Sequence, residues 1–400
     1  MSASRSSAVR SRSVGGPAQR ATWRLGAISL LLVAAIVGLF AKYGANVFSS
    51  GGSSDYQSGD EAVWEKWRPV DRSAESDTGA EYAALRETKP ERRPTANDRS
   101  DLELKDIPFD GAAAYEYLKQ VCAIGPRRSG SAGMRKQQEL LVAHFKKLGA
   151  KIELQRFQTR HPLDGSVVPL ANLIVTWHPE RRERVLLCCH YDTRPYPEND
   201  PNPAKRKSDF IGANDGASSV GLLMQLGKSM PKVEGKVGVD FVFFDAEELV
   251  YEEGGFKRGD YFIGSYWFAN EYKRKPPKHK YRAGILLDMV ADAELHLYKD
   301  RHSLAFPAAR PIVEEVWKLA AELEVREFID AKGHLVQDDH LMLNEFGGIP
   351  TIDIIDFDYP RPGDETYWHT TSDVPENCSA LSLAKVGWVV EEWLKRTVPK

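Results

Sequence analysis

Residues 239–248 read VDFVFFDAEE, and this stretch decides the fold. Five of its first six residues are Val or Phe, so it predicts a strand with apolar side chains on both faces. Such a strand belongs in the centre of a sheet that is covered by helices on both sides. Three carboxylates follow within residues 245–248, at the end of the strand where open α/β sheets form ligand crevices. They form either a solvated acidic loop or a site where cations or protons relieve their mutual repulsion.

The rest of the chain alternates strand and helix patterns around this strand. The 400 residues carry 54 basic and 57 acidic side chains, so no overall field favours nucleic acid. The alternation predicts an α/β fold, a three-layer αβα sandwich with a central, mostly parallel mixed sheet. Further strands are predicted at residues 151–157, 173–177, 185–189, 284–290 and 351–357. Helices are predicted after Asp110 to residue 121, after Ser131 to residue 148, and at 217–229, 308–323 and 382–395.

The N-terminal part has a composition of its own. Residues 1–24 contain five arginines and no acid, and residues 25–41 carry no charge. At about 1.5 Å per residue the uncharged span reaches roughly 26 Å, the lower limit for crossing a membrane. A cleaved signal peptide and a buried core helix are the alternatives. We expect a basic cytoplasmic tail (1–24), a single-pass signal anchor (25–41), a flexible stalk (42–105) and an extracytoplasmic catalytic domain (106–400).

The four cysteines are predicted to be free, buried thiols. Cys188 and Cys189 are adjacent in a strand pattern, so their side chains point to opposite faces and do not pair with each other. Cys122 and Cys378 complete the set, and no Cys-x-x-Cys motif is present. That absence counts against a structural zinc knuckle and against a thioredoxin-like redox site.

Polar residues follow several predicted strands besides the first. Taken alone, an Asp at a helix start is a cap, and a single His is more often a satisfied residue than a ligand. Together these positions supply the oxygen and nitrogen ligands that zinc takes. Because no cysteine is among them and a spare Glu lies beside a ligand Glu, the set indicates a catalytic site. Its members are His190, Asp215, Glu247, Glu248, Asp288, the QDDH stretch 337–340 and His369.

The chain carries HYD at 190–192, GAND at 212–215, FFDAEE at 243–248, LD at 287–288 and WH at 368–369. These motifs resemble those of the zinc aminopeptidase superfamily. Two details are similar to the animal-type glutaminyl-peptide cyclotransferases within it. One is the pair of acids before His340, and the other is Trp368 immediately before His369. The resemblance covers roughly residues 107–397 and implies a zinc exopeptidase-like fold. Membrane-anchored forms also occur among these cyclases, in agreement with the span at 25–41.

The resemblance implies a division of labour among the site residues. One zinc would be held by Asp215, Glu248 and His369, and Glu247 would act as general acid/base. Asp288 and Asp338 would form an acidic pair that shares a proton. Trp368 would form a wall of the substrate pocket, with His340 also close to the substrate. The implied reaction is cyclisation of an N-terminal glutamine of peptides or proteins to pyroglutamate, with release of ammonia.

The chain departs from the cyclase pattern at two places. The residues after Glu248 are LVYEEG, where a tryptophan is expected, so Tyr251 is predicted to take its place in the pocket wall. The family disulfide would use Cys189, but Val220 stands at the expected partner position, which favours free thiols.

Two other functions are compatible with the sequence. A two-zinc aminopeptidase would bind its second zinc through His190 and Asp288, with Asp215 bridging the two ions. A non-enzymatic binding domain on the same fold is the other alternative, but such relatives typically lose the ligands or the base that this chain retains.

Overall fold

The computed structural model describes residues 89–253, 256–364 and 366–397. The predicted tail and anchor, and the stalk as far as residue 88, lie outside the described residues. Within them, no helix is both long and apolar enough to cross a membrane.

A six-stranded mixed sheet forms the centre of the fold, in the order β1-β2-β4-β3-β7-β10. The four strands β4, β3, β7 and β10 run parallel, and the β1–β2 hairpin adds an antiparallel edge beside β4. The sheet strands are β1 Lys151–Arg160, β2 Val167–Trp177, β3 Glu183–His190, β4 Gly238–Phe244, β7 Lys280–Asp288 and β10 Thr351–Ile355. Two small sheets pair β5 Tyr251–Glu253 with β6 Phe256–Arg258, and β8 Leu297–Lys299 with β9 Phe328–Lys332.

Helices cover both faces of the sheet, so the predicted three layers are present. The helices are α1 Gly111–Cys122, α2 Ala132–Lys147, α3 Ala217–Leu226, α4 Ile263–Arg274, α5 Arg301–Ala305, α6 Arg310–Glu322, α7 Asp339–Met342 and α8 Ala380–Thr397. The larger core packs α1, α2, α3, α6 and α8 on one face, and the smaller core packs α4 on the other. Alternation along β3 sends Cys189 into the larger core and Cys188 into the smaller one, as predicted. All four cysteines are buried and free.

The strand that decides the fold, β4, is buried along its whole length. Its one acid, Asp240, is hydrogen-bonded by a buried arginine of β3. Arg184 donates to both Asp240 oxygens, at 2.6 Å from Nε and 2.8 Å from Nη2, and Tyr281 Oη adds a bond of 2.7 Å. These contacts satisfy a charge that would otherwise be costly to bury.

The two helix starts that were predicted from a capping side chain, after Asp110 and after Ser131, are confirmed. Asp110 Oδ1 accepts from Ala113 N at 2.9 Å, and Ser131 Oγ accepts from Met134 N at 3.1 Å. Helix α4 was missed, because Phe262 precedes it in a left-handed conformation and no side chain caps it.

The folded part begins earlier than the predicted boundary at residue 106. Glu91 N donates to Lys332 O at 2.9 Å, and Ser100 N donates to Glu327 Oε1 at 3.0 Å. The predicted flexible stalk therefore includes residues that lie against β9 and the residue before it. The reason is that these contacts are made by backbone groups and small polar side chains, which leave no hydrophobic periodicity in the sequence.

Candidate active site

The predicted site residues meet at the carboxyl edge of the parallel strands. His190 is the last residue of β3, Asp288 is the last residue of β7, and Glu247 and Glu248 follow β4 directly. Asp215 precedes α3, and His369 lies in the loop after β10. All six residues are 9% exposed or less, so they form a largely desolvated cluster.

Two overlapping sets of three side chains can each hold a metal ion. Asp215, Glu248 and His369 form the first set, and His190, Asp215 and Asp288 form the second. Within each set the ligand atoms lie within 4.8 Å of one another. His369 Nε2 is 3.3 Å from Glu248 Oε1 and 3.4 Å from Asp215 Oδ2. The structure thus assembles both the one-zinc and the two-zinc ligand sets.

Hydrogen bonding distinguishes the two sets. In the first, Asp215 Oδ2, Glu248 Oε2 and His369 Nε2 are buried and have no hydrogen-bond partner among the described residues. Buried polar atoms are normally satisfied, so three such atoms together fit a bound cation. In the second set, His190 Nε2 is already hydrogen-bonded to Asp288 Oδ1 at 3.2 Å. Two carboxylates and one imidazole are ligands that zinc takes, so the first set fits a catalytic zinc.

The electrostatics of the cluster also call for a cation. Burial and the neighbouring charge of Glu248 raise the pKa of Glu247 well above its ordinary value. Burial also raises the pKa of Glu248, although His369 and Arg194 oppose the shift. Burial disfavours protonation of His369, but the charges of Glu248 and Glu198 outweigh it and raise the pKa of the imidazole. A bound divalent ion would relieve this excess of negative charge.

The turn that carries the two glutamates is fixed by an aspartate of the loop after β3. Asp192 accepts hydrogen bonds from Glu247 N at 3.2 Å and from Glu248 N at 3.1 Å. Ala246, just before them, has a positive φ of 57°, a conformation that an L-residue adopts only when its surroundings impose it. His369 is also left-handed, with φ of 53°. Strained backbone at two site loops is typical of a functional centre.

A second carboxylate supports the ligand Asp215 from behind. Asp373 accepts from Asn214 N at 2.7 Å and from Asp215 N at 3.1 Å, which fixes the loop before α3. Sequence reasoning did not single out Asp373 or Asp192. An Asp two residues after His190 was quoted as part of a motif, but nothing in the pattern indicated that it accepts from backbone N–H groups.

An aromatic-lined cleft opens onto the cluster. Trp368 stacks on His369, with ring centroids 3.9 Å apart, and so lies where the predicted pocket wall was expected. Glu247, Asp288 and Asp338 also line this cleft. The remaining aromatic and apolar lining side chains are Tyr261, Phe262, Met289, Leu335, Val336, Ile355 and Phe357. Apolar walls around a few polar groups are typical of a ligand site.

Two predicted substrate contacts are not brought to the cleft. Tyr251 points to His161, with Oη 2.9 Å from Nε2, and Tyr261 occupies the cleft wall in its place. His340 is fully buried, with Nε2 3.3 Å from Asp300 Oδ2. It is the second residue of α7, whereas Asp338, the capping residue before the helix, has an extended backbone and lines the cleft.

The acidic pair predicted for the site is partly visible in the electrostatics. Burial and the charge of Asp288 raise the pKa of Asp338 well above its ordinary value. Asp338 Oδ2 is buried and has no hydrogen-bond partner among the described residues. Both observations agree with a carboxyl that keeps its proton, and sharing of that proton with Asp288 stays a prediction.

Comparison with known proteins places this site in a family. The family model described as peptidase family M28 matches residues 172–394. The glutaminyl-peptide cyclotransferase of Drosophila melanogaster is 23% identical over 281 residues, which cover 65% of this chain and 73% of that protein. Fimbriiglobus ruber glutaminyl cyclase, known from a crystal structure, is 36% identical to this chain in sequence, with a TM-score of 0.66. The match covers 76% of this chain and 99% of that protein's chain. A leucine aminopeptidase precursor of Bacteroides thetaiotaomicron is 31% identical, with a TM-score of 0.65 and coverages of 71% and 96%.

Proposed function

This chain belongs to peptidase family M28, and we propose that it is a glutaminyl cyclase that uses one zinc ion. It acts on peptide or protein N-termini: it converts an N-terminal glutamine to pyroglutamate and releases ammonia. Glutaminyl cyclases among its relatives and structural neighbours support this assignment. The observation that carries the single zinc is that Asp215, Glu248 and His369 each have a buried ligand atom without a hydrogen-bond partner in the part of the chain that the structure describes.

The chain's residues divide the reaction between them. When bound, zinc would be held by Asp215, Glu248 and His369, and it would polarise the γ-amide carbonyl of the substrate glutamine. Glu247 removes a proton from the α-amine as its nitrogen attacks the amide carbon, and returns a proton to the departing ammonia. Burial raises the pKa of Glu247, which makes it a stronger proton acceptor than an ordinary carboxylate.

The cleft determines which nucleophile reaches the amide carbon. Attack by the substrate's own amine closes a five-membered ring, so the site mainly has to hold one conformer of the glutamine side chain. Trp368 and Tyr261 form apolar walls beside the reacting group. Exclusion of water by these walls favours cyclisation over hydrolysis to glutamate.

A two-zinc aminopeptidase is the second candidate function. It is favoured by the set His190, Asp215 and Asp288, whose ligand atoms also lie within 4.8 Å of one another. The aminopeptidase precursor among the structural neighbours supports it as well. The hydrogen bond between His190 Nε2 and Asp288 Oδ1 weighs against it, because it engages one atom from each of the two side chains that would bind the second zinc.

Zinc analysis of matched histidine variants tests this assignment. His369→Ala should lose the zinc and the cyclisation of Gln-initiated peptides together, because a ligand is removed. His190→Ala should keep one zinc per chain and most of the activity. Equal loss of metal in the two variants would instead support the two-zinc enzyme.

We also propose that residues 25–41 anchor the catalytic domain to a membrane, with residues 1–24 in the cytoplasm. The support is the sequence alone: five arginines flank one side of an uncharged span of 17 residues. Protease added to intact cells should cleave the domain and spare the N-terminal tail. A mature N-terminus near Asn46 would contradict the anchor and indicate a cleaved signal peptide.

A further inference from the structure

We infer that Arg194 and Glu198 form a positioning pair that holds His369 ready to bind the metal. The inference rests on the proposed function, since it assumes that His369 is a zinc ligand. Both residues belong to the Pro- and charge-rich segment between His190 and α3, a region whose sequence shows no helix or strand period.

Glu198 contacts the side of His369 that faces away from the ligand cluster. His369 Nδ1 is 2.8 Å from Glu198 Oε1, while Nε2 is the atom near Asp215 and Glu248. A neutral imidazole that donates from Nδ1 to a carboxylate presents the lone pair of Nε2 to the metal. The same bond fixes the ring orientation and makes the ligand nitrogen more basic.

Arg194 holds the Glu198 carboxylate, which in turn orients His369. Its Nε and Nη2 atoms lie 2.7 Å and 2.6 Å from Glu198 Oε1, the oxygen that also faces His369. The guanidinium is only 1% exposed, so the pair is well screened from water. Arg194 Nη1 also lies 3.6 Å from Glu248 Oε1. One buried cation therefore reaches two parts of the ligand set, directly at Glu248 and through Glu198 at His369.

The backbone of the same segment holds the histidine loop. Asn199 N donates to His369 O at 3.1 Å, and Asp200 Oδ2 accepts from Thr371 N at 3.0 Å. His369 has φ of 53°, which costs conformational energy unless neighbouring contacts impose it. The contacts at residues 198–200 supply that constraint on the side chain and on the main chain of His369.

The test is the zinc affinity of purified apoprotein, measured by competition with a chelator. Glu198→Ala should weaken zinc binding about 10–100-fold, the usual cost of losing a carboxylate behind a ligand histidine. Glu198→Gln should weaken zinc binding less than Glu198→Ala does, because Arg194 N–H groups keep the remaining carbonyl oxygen turned toward His369. Glu198→Gln removes the charge that faces the buried Arg194, so its apoprotein should unfold at a lower midpoint than wild type, and the zinc affinities are compared at a temperature at which all variants are folded.

A matched control removes another negative charge near the same arginine. Glu252 lies 3.8 Å from Arg194 Nη2, is 46% exposed and makes no described contact with His369. Glu252→Ala should leave the zinc affinity within about twofold of wild type. Zinc affinity of Glu198→Ala within twofold of wild type, or an equal loss in Glu252→Ala, would overturn the inference.

The failure of this inference can be told apart from failure of the proposed site. If His369→Ala loses zinc while Glu198→Ala retains full affinity, the metal site is correct and the positioning pair is wrong. If His369→Ala itself binds zinc as wild type does, the proposed ligand set is wrong and the inference falls with it.

Discussion

Glu247 and Glu248 are neighbours in the chain but have different surroundings. Glu248 Oε1 lies 3.3 Å from His369 Nε2, whereas Glu247 Oε2 lies 3.8 Å from His190 Nδ1 and its side chain lines the cleft. The positive φ of Ala246 and the two bonds to Asp192 turn the pair so that one carboxylate joins the ligand set. We propose that the other carboxylate, that of Glu247, faces the substrate.

Substitution of Glu247 should separate the proton transfer from the metal. Glu247→Gln keeps the size of the side chain but removes its ability to take a proton. General acid–base catalysis typically contributes about 10²–10⁴-fold, so turnover should fall by at least that much while zinc content stays near wild type.

Glu248→Gln is the matched variant, and it should lose zinc first and activity as a consequence. Both properties are read from the same preparation by metal analysis and by the rate of pyroglutamate formation. A Glu247→Gln protein that holds zinc and keeps most of its cyclisation rate would show that the proton acceptor is a different group.

Asp292 provides a pH test of stability away from the ligand cluster. Burial raises its pKa from 3.8 to about 7, and its Oδ2 is buried without a hydrogen-bond partner among the described residues. The native state therefore favours the protonated form. The contribution of the protonated Asp292 carboxyl to folding stability is fully present below about pH 4 and is lost as the pH rises through about 7.

Asp292→Asn removes the titrating carboxyl. The stability of the variant relative to wild type should therefore increase with pH. At pH 8 the variant should exceed wild type in free energy of unfolding by about 1–3 kcal/mol, because wild type then buries an unpaired charge. At pH 5 the difference should be smaller. Urea unfolding of both proteins at the two pH values measures it, and a pH-independent difference would show that Asp292 does not titrate in this range.

Sequence reasoning found the residues that end apolar strands and missed those that support them. His190 and Asp288 were visible because each polar side chain interrupts an apolar run. Glu198 was not, because its contact with His369 spans 171 positions and comes from a segment with no period. Tyr251 was assigned to the pocket wall by its distance along the chain from Glu248. The β5–β6 hairpin instead carries it toward His161 and leaves Tyr261 in the cleft.

At the scale of elements, the segment before α1 is attached through a buried ion pair. Lys385 of α8 lies 2.6 Å from Glu327 Oε1, and both side chains are 4% exposed. Ser100 Oγ donates to the other carboxylate oxygen at 2.9 Å. Glu327, just before β9, thus joins α8 to residues that the sequence assigned to a flexible stalk.

Removal of Glu327 should destabilise the domain strongly. Glu327→Ala leaves the Lys385 ammonium buried without its partner, which typically costs about 3–5 kcal/mol in free energy of unfolding. The control is the exposed pair of Glu322 and Arg396, also 2.6 Å apart, where Glu322→Ala should cost far less because solvent screens the pair. Urea unfolding measures both variants, and equal losses would mean that burial does not determine the strength of the first pair.

The regular elements were predictable where local signals were strong. Helices α1 and α2 have Asp110 and Ser131 as caps, and β3 and β4 are short runs of large apolar residues. Helix α4 lacked a capping residue, and its start depends on the left-handed Phe262, a conformation imposed by tertiary contacts. Residues 261 and 262 line the cleft and immediately precede this helix. Local propensity could not predict this position for them.

At the scale of the whole molecule, the fold does not decide between cyclisation and hydrolysis. A glutaminyl cyclase and an aminopeptidase precursor are similar to this chain with TM-scores of 0.66 and 0.65. The difference lies in how many ions the carboxyl edge of the sheet binds and whether water reaches the substrate carbonyl. Among the described residues, all three members of one ligand set carry a buried atom without a hydrogen-bond partner, whereas in the other set His190 Nε2 is hydrogen-bonded to Asp288.

The most direct test of the central claim is to weigh the products formed from two peptides that differ only in the first residue. The zinc-loaded protein is incubated with a Gln-initiated and a Leu-initiated peptide, and the products are analysed by mass spectrometry. A glutaminyl cyclase should convert the first peptide to a product that is lighter by one ammonia and has the same length, and it should leave the second peptide unchanged. Release of free leucine, with the Gln-initiated peptide left uncyclised, would contradict it and identify an aminopeptidase.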